Sequence, residues 1–227
     1  MIFHGHIKSS FIDYPDKIST VLFTKGCNFR CSFCHNAELL GQWENELNEK
    51  YIFDFLNKRK NFIDAVCVSG GEVTLYPQLY DFLKKVKELG FLAKIDTNGT
   101  NPEMIYKLLN EDYIDYIAMD IKAPFEKYKS VVNADADIKK IKDSIEIIRQ
   151  SKKGYEFRTT VCKELLSVED IIKIAEYLKG SSKYAIQNFR DGDNVLVGKG
   201  KLTPFTIEEL DFLKQKINNY FNKLIIR

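Results

Sequence analysis

Thr24-Lys25-Gly26-Cys27-Asn28-Phe29-Arg30-Cys31-Ser32-Phe33-Cys34-His35-Asn36 carries three of the chain's five cysteines on one short loop. A closed structural zinc site takes four protein ligands, and iron–sulfur clusters are ordinarily held by four cysteine thiolates. Three thiols leave one position open. An open position on a metal centre is where a substrate or cosubstrate binds, so the spacing reads as catalytic. A zinc knuckle and a redox dithiol are the competing readings.

Outward from this loop the chain repeats one unit. Ser19–Thr24, short and β-branched, is a strand that feeds directly into the cysteines. A helix-like segment follows over Leu47–Lys60, then strand Ala65–Ser69 and helix Gln78–Leu89, whose Leu79, Phe82, Leu83, Val86 and Leu89 recur at helical spacing before Gly90 closes it. Three more pairs are Leu92–Asp96 with Pro102–Asn110, Tyr116–Asp120 with Ile138–Gln150, and Tyr155–Val161 with Val168–Lys179. The sixth is Tyr184–Asn188 with Ile207–Phe221. Ser167 and Thr206 stand at N-cap positions, and Thr206 with Glu209 forms a capping box.

Six strand-then-helix units with near-continuous apolar strands predict an α/β fold of parallel strands with helices packed outside. A complete eight-unit barrel takes about 250 residues. This chain has 227 and spends residues 1–18 as an N-terminal extension, leaving 19–188 for six strands and 189–227 for a loop and a last helix, all expected within one domain. A partial barrel and a doubly wound sheet satisfy this alternation equally. Both place chemistry at the C-terminal strand ends, and those ends are polar here: Ser69-Gly70-Gly71-Glu72, Asp96-Thr97-Asn98-Gly99, Asp120-Ile121-Lys122, Arg158, and Gln187-Asn188. Any one of them reads equally as a turn or a cap.

With 44% hydrophobic and 29% charged residues and a net charge of +2, the chain has no basic excess that would indicate nucleic acid. It opens without the pattern of a signal peptide and has no run of ~18 apolar residues, so the expectation is a cytoplasmic protein with no membrane partner. Cys67 and Cys162 lie in apolar strand-like runs and read as small buried hydrophobes. His4 and His6 alternate on a short N-terminal strand and read as packing or surface residues. The pairs Lys84-Lys85, Lys139-Lys140 and Lys152-Lys153 read as solvated.

The Cys-x-x-x-Cys-x-Phe-Cys spacing with its aromatic before the third cysteine resembles the cluster motif of the radical S-adenosylmethionine (SAM) enzymes. The resemblance implies a partial (βα)6 TIM-like barrel whose first strand ends at the cysteine loop. It also implies a [4Fe-4S] cluster on Cys27, Cys31 and Cys34, and SAM on the cluster's open iron. By the same resemblance Gly70, Gly71 and Glu72 bind the SAM amino group, with Val73 where the family usually has proline. Asp96, Thr97 and Asn98 contact the ribose and methionyl end, and Asp120, Lys122 and Arg158 lie by the SAM carboxylate. A monovalent cation held by Asp96 with Asp120 is implied too.

Longer phrases, Phe11-Ile12-Asp13-Tyr14-Pro15, Cys34-His35-Asn36, Asp96 to Pro102, Ala118 to Pro124 and Glu156 to Thr160, resemble the activating proteins of glycyl radical enzymes. The anaerobic ribonucleoside-triphosphate reductase activases are nearest. The implied partner is a glycyl radical enzyme, with Asp13 as a substrate contact and a flavodoxin or ferredoxin as electron donor. Two other readings stand beside this one: a radical SAM enzyme acting on a small molecule, such as a 7-carboxy-7-deazaguanine synthase-like protein, and a non-catalytic iron–sulfur or zinc protein.

Overall fold

The computed structural model describes residues 1–41 and 46–227. Its strands are Ile2–Phe3 (β1), Gly5–Ser10 (β2), Ser19–Thr24 (β3), Leu47–Asn48 (β4), Ala65–Gly70 (β5), Leu92–Thr97 (β6), Tyr116–Asp120 (β7), Gly154–Val161 (β8), Lys183–Asn188 (β9) and Lys223–Ile226 (β10). The helices are Glu49–Arg59 (α1), Leu79–Glu88 (α2), Pro102–Asn110 (α3), Tyr128–Val132 (α4), Ile138–Gln150 (α5), Val168–Leu178 (α6) and Ile207–Ile217 (α7). The class is α/β, with the six expected strands present as β3 and β5 to β9. Contacts group the chain into two compact units, each drawn from three stretches: Met1–Cys27, Glu38–Ala118 and Lys140–Gly154 in the first, Asn28–Ala37, Met119–Lys139 and Tyr155–Arg227 in the second.

In the first unit β3, β5 and β6 run parallel in that order, and β2 adds antiparallel to the outer edge of β3. Val21, Leu22, Val66, Val68, Ala93 and Ile95 are all buried, because a parallel strand covered on both faces has no wet side. Helix α2 turns Leu79, Phe82, Leu83 and Val86, each 0% exposed, into this core. Gly90 ends it at φ +88°, its N–H on the Lys87 carbonyl, as a glycine after a helix should. Asn101 caps α3 by accepting from the Met104 N–H, and Pro102 opens the first turn.

In the second unit β8, β9 and β10 are parallel neighbours. Both expected caps are present: Ser167 and Thr206 each form a capping box, with Asp170 and Glu209. Glu156 on β8 is buried between Lys183 at 2.6 Å and Arg227 at 3.4 Å, and these cations outweigh the effect of burial and hold its carboxyl below the usual range.

Two boundaries differ from the sequence expectation by more than one residue. The helix expected from Leu47 begins at Glu49, because Leu47–Asn48 pairs with Ile2–Phe3 and the Asn48 side chain then caps α1 by accepting from Tyr51 N–H. The last helix, expected to reach Phe221, stops at Ile217, and Lys223–Ile226 becomes a further strand parallel to β9. Three apolar residues after a lysine at the end of a helical pattern carry no signal of their own; the partner strand lies about forty residues upstream, in register from Lys183.

His6 is a packing residue. Its ring meets Phe55 edge-on at 4.6 Å, Tyr51 lies beyond, and Nε2 is 2.7 Å from Thr20 Oγ1. Burial, with some help from Lys8, pushes its pKa down to about 4. The unfolded chain therefore binds a proton that the folded one refuses between its ordinary value of 6.5 and 4. This contribution to stability is full above pH 6.5 and is lost as the pH falls toward 4. Thermal midpoints measured across that window are expected to fall less steeply in His6→Gln than in the natural chain. Parallel curves would refute the assignment.

Candidate active site

The first unit supplies Cys27 and three strand-end loops. β5 is in register with β3 so that Gly70 lies opposite Thr24, and the next N–H groups bind back to the cysteine-loop entrance: Gly71 to the Thr24 carbonyl and Glu72 to the Gly26 carbonyl, each at 2.9 Å. Both glycines are obligatory for this approach. A Cβ on Gly70, at φ +118°, would sit 2.3 Å from the Thr24 oxygen, and one on Gly71 would sit 1.8 Å from the Gly26 oxygen. The glycines that the resemblance assigns to the SAM amino group are, first of all, room for the chain's own backbone.

Glu72 is fully buried. Its Oε1 accepts from Thr74 N–H at 3.1 Å, Thr74 Oγ1 at 2.5 Å and Thr97 Oγ1 at 2.6 Å, and its Oε2 accepts from Asn98 N–H at 2.6 Å. Burial pushes this carboxyl up and the four bonds act against it. The carboxylate thus ties the end of β5 to the end of β6. The Asn98 side chain, 5% exposed as a residue, also directs Nδ2 at Cys27 Sγ, 3.8 Å away. An amide donor on a thiolate is one of the ways a protein tunes an iron–sulfur cluster. Asp96 receives Ser69 Oγ at 2.9 Å. Asp13, on the loop after β2, accepts from Ser10 Oγ, and its carbonyl faces Cys67 Sγ.

The second unit supplies Cys31 and Cys34 with the other strand ends. Arg158 places its fork on Asp120, Nε to Oδ1 at 3.0 Å and an Nη to Oδ2 at 3.2 Å, and Lys122 Nζ stands 3.3 Å from Oδ2. The guanidinium that the resemblance places beside the SAM carboxylate thus makes its two-pronged contact with a carboxylate of the chain itself, Asp120. Burial by itself would lower the Lys122 pKa, but Asp120 and Cys31 together hold it above its ordinary value, and Nζ lies over the Phe33 ring at 5.6 Å. That puts a cation beside a cluster-motif cysteine, where it favours the thiolate.

One support of the cysteine loop has no signal in the sequence. Leu196 N–H binds the Cys34 carbonyl at 3.0 Å and Val197 N–H the Ser32 carbonyl at 3.2 Å, so the segment after β9 straps the loop by main-chain bonds. His35 joins the same strap through Nε2 to the Arg190 carbonyl at 2.5 Å and a ring contact with Phe189. Asn133 holds the other side, donating to the Arg30 carbonyl and Ser32 Oγ. Backbone partners of this kind leave no residue-type signature.

Cys67 and Cys162 are buried, and burial pushes their thiols up to about 12 and about 11, so at neutral pH they are neutral and poor ligands. None of the five cysteines forms a disulfide. Among the described residues no group of three His, Cys, Asp or Glu side chains is gathered as metal ligands. The fit of a cluster rests on donor chemistry: three thiols on one loop, one with an amide donor and one with a cation beside it, match what an iron–sulfur cluster takes.

A mainly parallel α/β fold that runs from its first parallel strand into a three-thiol loop, with a Gly-Gly-Glu turn bound to that loop, defines a radical SAM enzyme. The chain belongs to that superfamily, whose sequence profile matches residues 21–178. A Methanocaldococcus jannaschii protein provisionally named a glycyl-radical enzyme activating enzyme is 38% identical over 231 residues, which is 98% of this chain and 94% of that one. The pyruvate formate-lyase-activating enzyme of Clostridium pasteurianum is 28% identical over 206 residues, 80% of this chain and 84% of its own.

Among solved structures, Streptococcus suis SuiB bound to precursor peptide SuiA matches with a TM-score of 0.70 at 19% identity, over 91% of this chain and 48% of SuiB. This chain thus spans about half of SuiB, and the likeness speaks to the fold: the partial TIM-like barrel class of radical SAM enzymes. The cofactors are those of the superfamily, a [4Fe-4S] cluster and SAM. Among the described residues no helix is long and apolar enough to cross a membrane.

Proposed function

We propose that this radical SAM enzyme activates a glycyl radical enzyme, taking as substrate one glycine on a partner protein, with an anaerobic ribonucleotide reductase as the candidate and a flavodoxin or ferredoxin as electron donor. What supports the reading above all is the near-full-length likeness to the Methanocaldococcus jannaschii relative. Bound cluster and SAM supply the reductive cleavage that yields a 5′-deoxyadenosyl radical. In this reading Cys27, Cys31 and Cys34 hold the cluster, with Asn98 and Lys122 setting the charge around two of the sulfurs. Gly70 and Gly71 offer carbonyls to the SAM amino group, Asp96 and Thr97 meet the ribose end, and Lys122 and Arg158, already oriented by Asp120, answer the carboxylate.

Asp13 is the substrate contact. Ser10 holds its carboxylate, and the two residues before it, Phe11 and Ile12, are 75% and 87% exposed. Two bare apolar side chains next to an oriented acceptor suit the docking of another protein's loop, since exposed apolar groups gain from being covered. Glycine is the residue whose missing side chain permits close approach of its Cα–H.

The test is electron paramagnetic resonance after mixing reduced, SAM-loaded enzyme with glycyl radical enzymes of the same genome. A glycyl doublet with matching 5′-deoxyadenosine is the expected result. Asp13→Asn is expected to lower partner activation roughly 10- to 100-fold, the worth of one charge-assisted hydrogen bond, while SAM cleavage without partner stays near the natural rate. If no candidate gives the doublet and a small heterocycle drives 5′-deoxyadenosine release instead, the activase reading falls.

A further inference from the structure

Two residues before Asp96 stands a lysine that the reading of motifs passes over. Lys94 and Asp96 are i and i+2 on β6, so their side chains leave the strand on one face. Lys94 is 3% exposed. A buried ammonium is costly unless a charge and hydrogen bonds meet it, and here Nζ lies 2.7 Å from Asp96 Oδ1. Ser69 Oγ takes the other carboxylate oxygen at 2.9 Å. Each Asp96 oxygen therefore has a donor fixed by the chain, one of them carrying a full positive charge.

We propose that Lys94 is the built-in counter-cation of Asp96, so that this carboxylate recruits no sodium or potassium ion. This replaces the monovalent cation that the sequence resemblance implies at Asp96. The physical case is substitution of like for like. A protonated amine at 2.7 Å presents one positive charge to the carboxylate at close range, and because it is tethered two residues away it loses little freedom in doing so. A metal ion on the same carboxylate would meet the like charge of the ammonium at close range, and displacing the ammonium would leave it buried and unpaired, the more expensive state. Asp120, in the second unit, is met by cations of the chain as well, Arg158 and Lys122. Lys94 is thus a positioning residue: it neutralises Asp96 and, with Ser69, sets the direction in which the carboxylate faces a ligand at the end of β6.

The experiment needs neither cluster, SAM nor partner, so it fails or succeeds independently of the proposed activity. Thermal unfolding of the apo-protein is compared in sodium, potassium and tetramethylammonium chloride at one ionic strength of about 0.15 M, where general screening is equal. The natural chain is expected to melt at the same temperature in all three salts. Lys94→Met is expected to melt roughly 10 °C lower in tetramethylammonium chloride, as loss of one partner of a buried pair implies, and to regain part of that loss in sodium or potassium, since an ion bound only by the folded state stabilises it. Lys94→Gln, which keeps a donor and loses the charge, should show the same ion-specific recovery. The proposal is overturned if the natural chain is itself selectively stabilised by sodium or potassium. It is equally overturned if a folded Lys94 variant melts alike in all three salts, because a lysine that matters only for packing would give that result. Should Lys94→Met not fold, Lys94→Gln and the natural chain still decide.

Discussion

Alanine at Cys27, Cys31 or Cys34, taken singly, is expected to abolish a stable [4Fe-4S] cluster after anaerobic reconstitution, while alanine at Cys67 or Cys162 leaves the iron and sulfide content near four each per chain, the stoichiometry of such a cluster. The reason lies in both the position and the protonation of the thiols. Cluster ligands are thiolates. Cys31 has the Lys122 cation near it and Cys27 the Asn98 amide, both of which favour a negative sulfur. Cys67 and Cys162 sit in strands or beside them with their thiols pushed up to about 12 and about 11 by burial, so a neutral thiol prevails there. Iron and sulfide analysis with the visible absorbance of the reconstituted variants decides the matter. Loss of cluster in all five variants, or in none, would overturn the assignment.

Gly71→Ala and Glu72→Gln are expected to act on the fold as strongly as on SAM. An alanine Cβ at position 71 would fall 1.8 Å from the Gly26 carbonyl oxygen, a distance no backbone tolerates, so the turn must separate from the cysteine loop and break the Gly71 and Glu72 N–H bonds that join them. Glu72→Gln keeps the shape and inverts one half of the chemistry. All four groups facing this carboxylate are drawn toward it as donors, and two of them, the Thr74 and Asn98 N–H groups, cannot turn away. The amide NH2 must face at least one donor, leaving a buried N–H unmet at a cost of about 1 to 3 kcal/mol. Chemical denaturation of the apo-protein should show Glu72→Gln destabilised by about that much, and Gly71→Ala by roughly 3 kcal/mol or more, the scale of a severe steric lesion. Apo-proteins as stable as the natural chain, with only SAM affinity reduced, would return Glu72 to the role of a simple ligand contact.

These expectations mark where motif and geometry part. The resemblance assigns Glu72 to the SAM amino group, and that assignment concerns what the loop binds. The structure adds what the loop is made of, a carboxylate that binds Thr74, Thr97 and Asn98 across two strand ends. The same holds for Arg158, expected beside a ligand carboxylate and found gripping Asp120. A motif names residue types at a spacing; it does not count how many of a side chain's bonds the chain itself consumes.

Much was determined by the sequence alone, because its causes are local. Strand-then-helix alternation follows from runs such as Ser19–Thr24 and from the spacing of Leu79, Phe82, Leu83 and Val86. The capping boxes at Ser167 and Thr206 and the closing Gly90 follow from chemistry within a few residues, and the three-thiol loop announces an open metal site by its count. Tertiary structure alone decided whatever depends on a partner far along the chain. Lys223–Ile226 is a strand only because β9 offers an edge, and Leu47–Asn48 leaves its helix only because Ile2–Phe3 pairs with it. Gly71 must be glycine because Gly26 lies against it, and Leu196 and Val197 support the cysteine loop through N–H groups that every residue but proline has. Lys94 reads as an ordinary strand lysine until its burial beside Asp96 is seen. The periodicity of side chains is written in the sequence, whereas the approach of one backbone to another carries no residue code and appears only once the chain is folded.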